Sequence, residues 1–330
     1  MSRYARSRVA RKIVCLGGGT IIPNLLLKPL KKKGFQITGI TSMIDSGYSA
    51  GQIRDDFNVL PPGDIRRHVL ALSSAPEWKK NLWSFRFGRE DFGEGHIGHP
   101  FSNVFMAGLE ISFKNYRKVI EFVSDFMELK DNQALPMIIT QSHIIAELAN
   151  GEIIKGEWEI DALENHDRNL KIKKVYLETE AKIFPEAKKA ILEADLILVG
   201  PGDLYSSIVP CFLPNGATAV LKKAKAKKIL ISNSLAKLGE TNGFTTLEFA
   251  NEVEKYMGTS LDYVLYHNKP IDKELMAEYQ KENPQICGLI AVDEDLPKDK
   301  FIGADILQKD KLPFDSKKII SNIFKIIGKK

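Results

Sequence analysis

The chain has 330 residues, 44% of them hydrophobic, and 47 Lys and Arg against 42 Asp and Glu give a net charge of +5. The excess sits at the ends, at Arg3, Arg6, Arg8, Arg11 and Lys12 and again at Lys317, Lys318, Lys325, Lys329 and Lys330, which argues against a nucleic-acid track along the body of the protein. No run of about 18 apolar residues occurs, so stable membrane insertion is excluded, and no apolar stretch of a secretory signal follows the basic start.

Cys15, Cys211 and Cys287 lie far apart without a C-x-x-C, a pattern that fits a reducing cytoplasm and no structural zinc. Residues 1–11 read as a flexible basic tail, and 12–330 as a single α/β domain. Ile13 to Leu16 is a β-branched apolar run, a strand buried on both faces of a parallel sheet. Gly17, Gly18, Gly19 and Thr20 follow, and Pro23 suits the first turn of a helix that ends at Gly34. Strand, glycine turn and helix start together make an anion site, because free helix N–H groups face the ligand.

Gln36 to Ile40 is a second strand, and Thr41 to Gly51 a polar loop. A dinucleotide fold would place an acid at the end of this strand, but Thr41 and Ser42 stand there, which weakens a nicotinamide-dehydrogenase reading. Leu60-Pro61-Pro62-Gly63-Asp64-Ile65-Arg66 is a rigid turn whose Asp64 can cap the helix running to Ser74. Asp45 and Asp64 could together hold Mg²⁺ against a diphosphate, with Arg66 on the same anion. Helices are expected over 77–86, 101–111 and 116–129. His96 and His99, between the first two, have metal-ligand spacing but no third ligand nearby, so a substrate loop is the better reading.

Ile138 to Thr140 and Ile144 to Leu148, then Asn150-Gly151 and Ile153-Ile154, predict an antiparallel hairpin over about 138–160, inserted on the main sheet. A charged surface loop precedes a strand at Val175 to Leu177. A helix at Pro185 to Ala194 leads into the buried strand Asp195 to Val199 and a second glycine turn, Gly200-Pro201-Gly202-Asp203, with Ser206 and Ser207 beyond it. Two such turns suggest opposite walls of one cleft, and the loop 237–243 supplies a third. Alternation of helix and strand to Glu282 is that expected of a doubly wound, mostly parallel α/β sheet. The lysine-spaced isoleucines of 316–330 predict an amphipathic helix that docks on its own domain or on a second subunit.

The order of Gly17-Gly18-Gly19-Thr20, Ser42 to Gly47, Leu60 to Arg66, Gly200 to Ser207 and Gly239-Glu240-Thr241-Asn242-Gly243 resembles the YvcK-type gluconeogenesis factors, relatives of the CofD 2-phospho-L-lactate transferases. The resemblance covers roughly residues 12 to 270 and implies a Rossmann-like three-layer αβα fold with a cleft for a nucleotide or nucleotide sugar such as UDP-N-acetylglucosamine. In the transferases it implies a guanosine diphosphate conjugate and a deazaflavin acceptor. It implies a cytoplasmic regulator of carbon use and cell shape, here expected as a homodimer. The alternative is a Mg²⁺-dependent phospholactate transferase with Asp45 and Asp64 as catalytic and metal-binding acids. A scaffold held by its basic ends is a third reading. Expected ligand-binding residues are Gly17, Gly18, Gly19, Thr20, Ser46, Gly47, Ser49, Gly63, Arg66, Asn103, Gly200, Pro201, Gly202, Ser206, Asn233, Glu240 and Thr241. The chain departs from the family pattern at Ile21 and Tyr48, where glycine is usual, and at Ala50, where serine is; of GHSxGN it keeps His99 and Asn103.

Overall fold

The computed structural model describes residues 11–88, 98–161 and 167–328. Among these described residues twelve strands follow in chain order: β1 (Lys12–Leu16), β2 (Gln36–Thr41), β3 (Gln133–Pro136), β4 (Ile144–Leu148), β5 (Ile153–Lys155), β6 (Ile172–Leu177), β7 (Leu196–Val199), β8 (Lys227–Ile231), β9 (Leu235–Lys237), β10 (Tyr263–His267), β11 (Ile286–Leu289) and β12 (Phe301–Ala304). Seven of them form one sheet in the order β12-β10-β8-β7-β1-β2-β3. Every pairing in it is parallel.

Ile13 to Leu16 of β1 and all of β7 are buried, because a parallel sheet must be covered by helices on both faces and so needs unbroken apolar runs. The helix Gly63–Leu72 packs on β2 and β3, and Pro185–Glu193 packs on β1 and β3. From β1 the chain winds outward through β2 to β3, then restarts at β7 on the other flank and winds through β8 and β10 to β12. The reversal lies between β1 and β7, where the loops leaving two adjacent strands part and open a crevice. The expected doubly wound α/β class is observed.

Several elements differ from the sequence expectation. The strand expected at 138–140 is instead β3, which begins five residues earlier and whose Pro136 is tolerated because β3 is an edge strand. The hairpin β4–β5 forms, but it joins β6 in a separate three-stranded sheet rather than extending the main one. Tyr48–Phe57 is a helix where a loop was expected up to Gly51; its inner face of Ser49, Ala50, Gly51 and Ile53 is too small and polar to show an apolar period. β9, β11 and β12 were not anticipated, being three or four residues long and without alternation. The final helix, Ser316–Gly328, buries Ile319, Ile320, Ile323 and Ile326, stacks Phe324 on Phe35 at 5.1 Å and docks on its own domain. Residues 1–10 of the basic tail, His96 and the rest of 89–97, residues 162–166 of the charged loop, and residues 329–330 lie outside the described residues.

Candidate functional site

The two glycine turns leave neighbouring strands at the same edge of the sheet. Gly200 N donates to Leu16 O at 3.1 Å, and Gly17 N to Ile40 O at 3.1 Å, so each turn is tied to the end of an adjacent strand. Gly17, Gly19 and Gly200 have φ of +138°, +76° and +66°, a region in which a side chain is strained. A Cβ on Gly19 would lie 3.8 Å from Ser207 Oγ, which places the first turn against the helical turn that follows the second. Each feeds a π-helical turn, Pro23–Leu27 and Leu204–Ile208, an opened winding that recurs where helices meet ligands. The Gly200–Pro201 peptide is cis.

Asp64 closes the first turn from below. It lies in the first turn of its helix, whose N-cap is Pro62 with no side-chain cap, so the capping role expected for it is not the one it takes. Its carboxylate accepts instead from Gly19 N at 2.9 Å, from Thr41 Oγ1 at 3.1 Å and from Arg67 at 2.7 Å. Asp45 lies beside it and accepts from Gly47 N at 3.0 Å. Burial, and then the neighbouring Asp64 carboxylate, push Asp45 up to about 6. Gly63 keeps Asp45 Oδ2 clear, since a Cβ there would stand 2.2 Å from it. In donor chemistry two hard carboxylates, one of them raised by burial and by the other, fit a Mg²⁺ ion. Arg66 is pulled down to about 10, first by burial and then by Arg67 and Arg86. Its buried Nε has no hydrogen-bond partner in the described residues.

Ser46 lies at the rim, where its Oγ accepts from Trp158 N at 2.8 Å. Ser49 and Asn103 are fully internal: Asn103 Nδ2 donates to Ser49 Oγ at 2.9 Å, and that hydroxyl meets His99 Nδ1 at 2.8 Å. The three hold the helices Tyr48–Phe57 and Phe101–Phe113 together.

The second wall is built by Asn233, which closes on the turn by accepting from Gly202 N at 3.3 Å and donating to Gly202 O at 2.9 Å. Pro201 and Ser206 are buried in it. Glu240 accepts from Tyr205 N at 2.8 Å, and Thr241 Oγ1 from Lys237 N at 2.9 Å. Lys237 Nζ reaches Asp161 at 2.7 Å, Asp203 at 2.8 Å and Glu240 at 3.0 Å. Burial opposes its charge, but those three carboxylates outweigh it and raise Lys237 well above the usual lysine value. The three acids converge closely enough to bind a cation, and Lys237 already occupies that position.

Between these walls opens a cavity of about 890 Å³, lined among others by Thr20, Ile21, Gly202, Asn233 and Lys237. Gln308, Lys309, Lys311 and Phe314 form its outer side. Of the expected ligand residues, Thr20, Gly202 and Asn233 face this cavity. Ser46, Gly47, Gly63, Asp45 and Asp64 gather on the far side of the first glycine turn. Sequence reasoning missed the contacts of Thr41 and Lys237, whose partners Asp64 and Asp161 lie 23 and 76 residues away in the chain, of Ser207 with Gly19 and of Arg67 with Asp64, one turn before it, and it missed the 308–317 wall beyond the range of the resemblance. Ser207 was signalled by its place beside Ser206, and Lys237 by opening the loop 237–243.

Comparison with known proteins sharpens the picture. The model of the family described as 2-phospho-L-lactate transferase CofD matches residues 13–309. A putative gluconeogenesis factor of Thermotoga maritima is 34% identical over 272 residues, 82% of this chain and 83% of that one. The gluconeogenesis factor of Listeria monocytogenes is 34% identical over 267 residues, 80% of each chain. Among solved structures, a member of the UPF0052 family from Bacillus halodurans superposes with a TM-score of 0.85 at 28% identity, covering 96% of this chain and 100% of that one.

Proposed function

Since this chain belongs to the CofD family, among its YvcK-type gluconeogenesis factors, we propose that it is a cytoplasmic regulator that binds a nucleotide sugar of the UDP-N-acetylglucosamine class and acts in carbon use and cell shape. One observation carries the binding part: two glycine turns leave adjacent strands at the reversal point of a parallel sheet, and residues of both, Thr20 and Gly202, line one cavity of about 890 Å³. The first turn offers the Gly18 and Thr20 amides and the Thr20 hydroxyl to a diphosphate, while the cavity takes the nucleoside. Lys309, Lys311 and Lys317 at its rim complement phosphate charge. No described helix is long and apolar enough to cross a membrane, and homodimer assembly is part of the same proposal, tested by sedimentation.

Thermal-shift titration with UDP-N-acetylglucosamine, UDP and GDP tests this reading. A ligand at a hundredfold excess over its dissociation constant stabilises by about 2.7 kcal/mol. A melting temperature that none of the three moves contradicts it.

The Asp45 and Asp64 pair favours a second reading, a phospholactate transferase. There the two carboxylates would hold Mg²⁺, which neutralises diphosphate charge when bound. Arg66 and Arg67 would orient the anion. Turnover of a lactate-linked guanosine diphosphate with a deazaflavin, lost in Asp45→Asn, supports this reading; nucleotide binding without turnover leaves the first.

A further inference from the structure

Nucleotide binding as proposed leaves one built feature of the cleft unused, an exposed aromatic pair at its acidic end. The rings of Tyr48 and Trp158 meet edge to face with centroids 4.6 Å apart and planes at 67°. Tyr48 is 72% exposed and Trp158 36%. The pair is fixed at its base: Trp158 N donates to Ser46 Oγ at 2.8 Å, and a Cβ on Gly47 would stand 3.2 Å from Trp158 Cε3. Tyr48 also holds φ at +42°, a backbone that penalises any side chain, so its ring occupies a position where glycine would be easier.

Carboxylates lie directly below. Asp45 is two residues from Gly47, to which it is hydrogen bonded, and Glu157 precedes Trp158 in the short helix Glu157–Asp161 and faces Ser46 N at 3.5 Å. The same helix leads to the cavity, because Asp161, one turn beyond Trp158, lies 2.7 Å from the cavity-lining Lys237. A helical turn rises about 5.4 Å, so the platform and the cavity wall are neighbours. The two ends of this path have opposite chemistry. The Gly18 and Thr20 amides and the lysines attract phosphate, while Asp45 and Glu157 repel it and accept hydrogen bonds from hydroxyls. A diphosphate-linked sugar has that polarity: the charged group goes to the glycine turns, and the neutral hydroxylated ring goes to the acids and aromatics.

Resting on the nucleotide-sugar reading, we propose that Tyr48 and Trp158 form the specificity platform for the sugar ring, which lies on the Tyr48 face while Asp45 and Glu157 receive its hydroxyls.

Calorimetric titration of the full chain with UDP-N-acetylglucosamine and with UDP tests it in the wild type, Tyr48→Gly and Tyr48→Phe. Because glycine suits φ of +42°, Tyr48→Gly keeps the fold, which a melting curve checks. UDP-N-acetylglucosamine is expected to bind Tyr48→Gly about 3- to 10-fold more weakly, the scale of one lost ring contact. UDP affinity should stay the same, and Tyr48→Phe should restore the sugar nucleotide. If the wild type binds both and Tyr48→Gly changes neither, or both alike, the platform is refuted and the nucleotide site survives. If the wild type binds neither, the nucleotide reading falls and the platform with it.

Discussion

Asp64 Oδ1 accepts the amide hydrogen of Gly19 at 2.9 Å, and this one bond joins the Pro-Pro-Gly turn to the first glycine turn across 45 residues of chain. Thr41 Oγ1 and Arg67 complete the set on the same carboxylate, so the ends of β1 and β2 and the helix Gly63–Leu72 all converge on it. Hydrogen bonds to a charged group contribute about 1.5–3 kcal/mol each when buried. Asp64→Ala should therefore lower unfolding stability by about 2–4 kcal/mol in urea titration and release the glycine turn. An unchanged midpoint would mean that the turn is held by its own backbone.

Gly18 tests the same contact from the other side. A Cβ there would stand 2.1 Å from Asp64 Oδ2, and that carboxylate cannot swing away without leaving three donors. Gly18→Ala should cost about 1–3 kcal/mol and abolish nucleotide binding. Gly108, inside the helix Phe101–Phe113, has nothing within 4 Å of its Cβ position. Gly108→Ala should stabilise by about 0.4–1 kcal/mol and leave binding intact.

Asp45 makes stability depend on pH in a defined direction. Burial and Asp64 raise its folded value from 3.8 to about 6, so the folded state holds a proton that the unfolded chain has already released between those values. Stability attributable to Asp45 thus falls as pH rises from about 4 to 6 and stays reduced above that. Asp45→Asn should match the wild type below pH 4 and exceed it above pH 6, by at most about 3 kcal/mol at 1.36 kcal/mol per pH unit. Denaturation curves at pH 4 and pH 7.5 measure the difference; a variant less stable than wild type at pH 7.5 would show that the negative charge is compensated in the fold.

Lys237 has an 11% exposed side chain and faces three carboxylates. One cation cannot neutralise three acids, and burial raises Asp161, Asp203 and Glu240 alike. Lys237→Met would leave those charges facing one another and should cost about 3–5 kcal/mol at pH 7. The loss should shrink as pH falls and the acids take up protons. A loss that did not vary with pH would point to packing alone.

Much of this site was legible in sequence wherever a short motif carried its own geometry. Ile13 to Thr20 and Leu196 to Gly202 each contain strand, turn and the residue that makes the turn possible, so position in the sheet followed from local chemistry. The hairpin at Asn150-Gly151 and the helix at 316–328 were legible for the same reason. What could not be read was pairing across the chain. Nothing near Asp64 marks Gly19 as its partner rather than the helix it begins, and nothing near Lys237 marks Asp161. Short edge strands such as β3 and β12 lack the length to show a period, and the helix of Tyr48–Phe57 buries small polar groups that mimic a loop.

The most direct measurement is the structure of the protein crystallised with UDP-N-acetylglucosamine. The diphosphate is expected to lie between the Gly17–Thr20 and Gly200–Gly202 turns, its oxygens about 3 Å from the Gly18 or Thr20 amide or from Thr20 Oγ1, with the nucleoside in the adjoining cavity. Phosphates bound elsewhere, or turns that hold nothing at saturating ligand, would contradict a shared site at the two glycine corners.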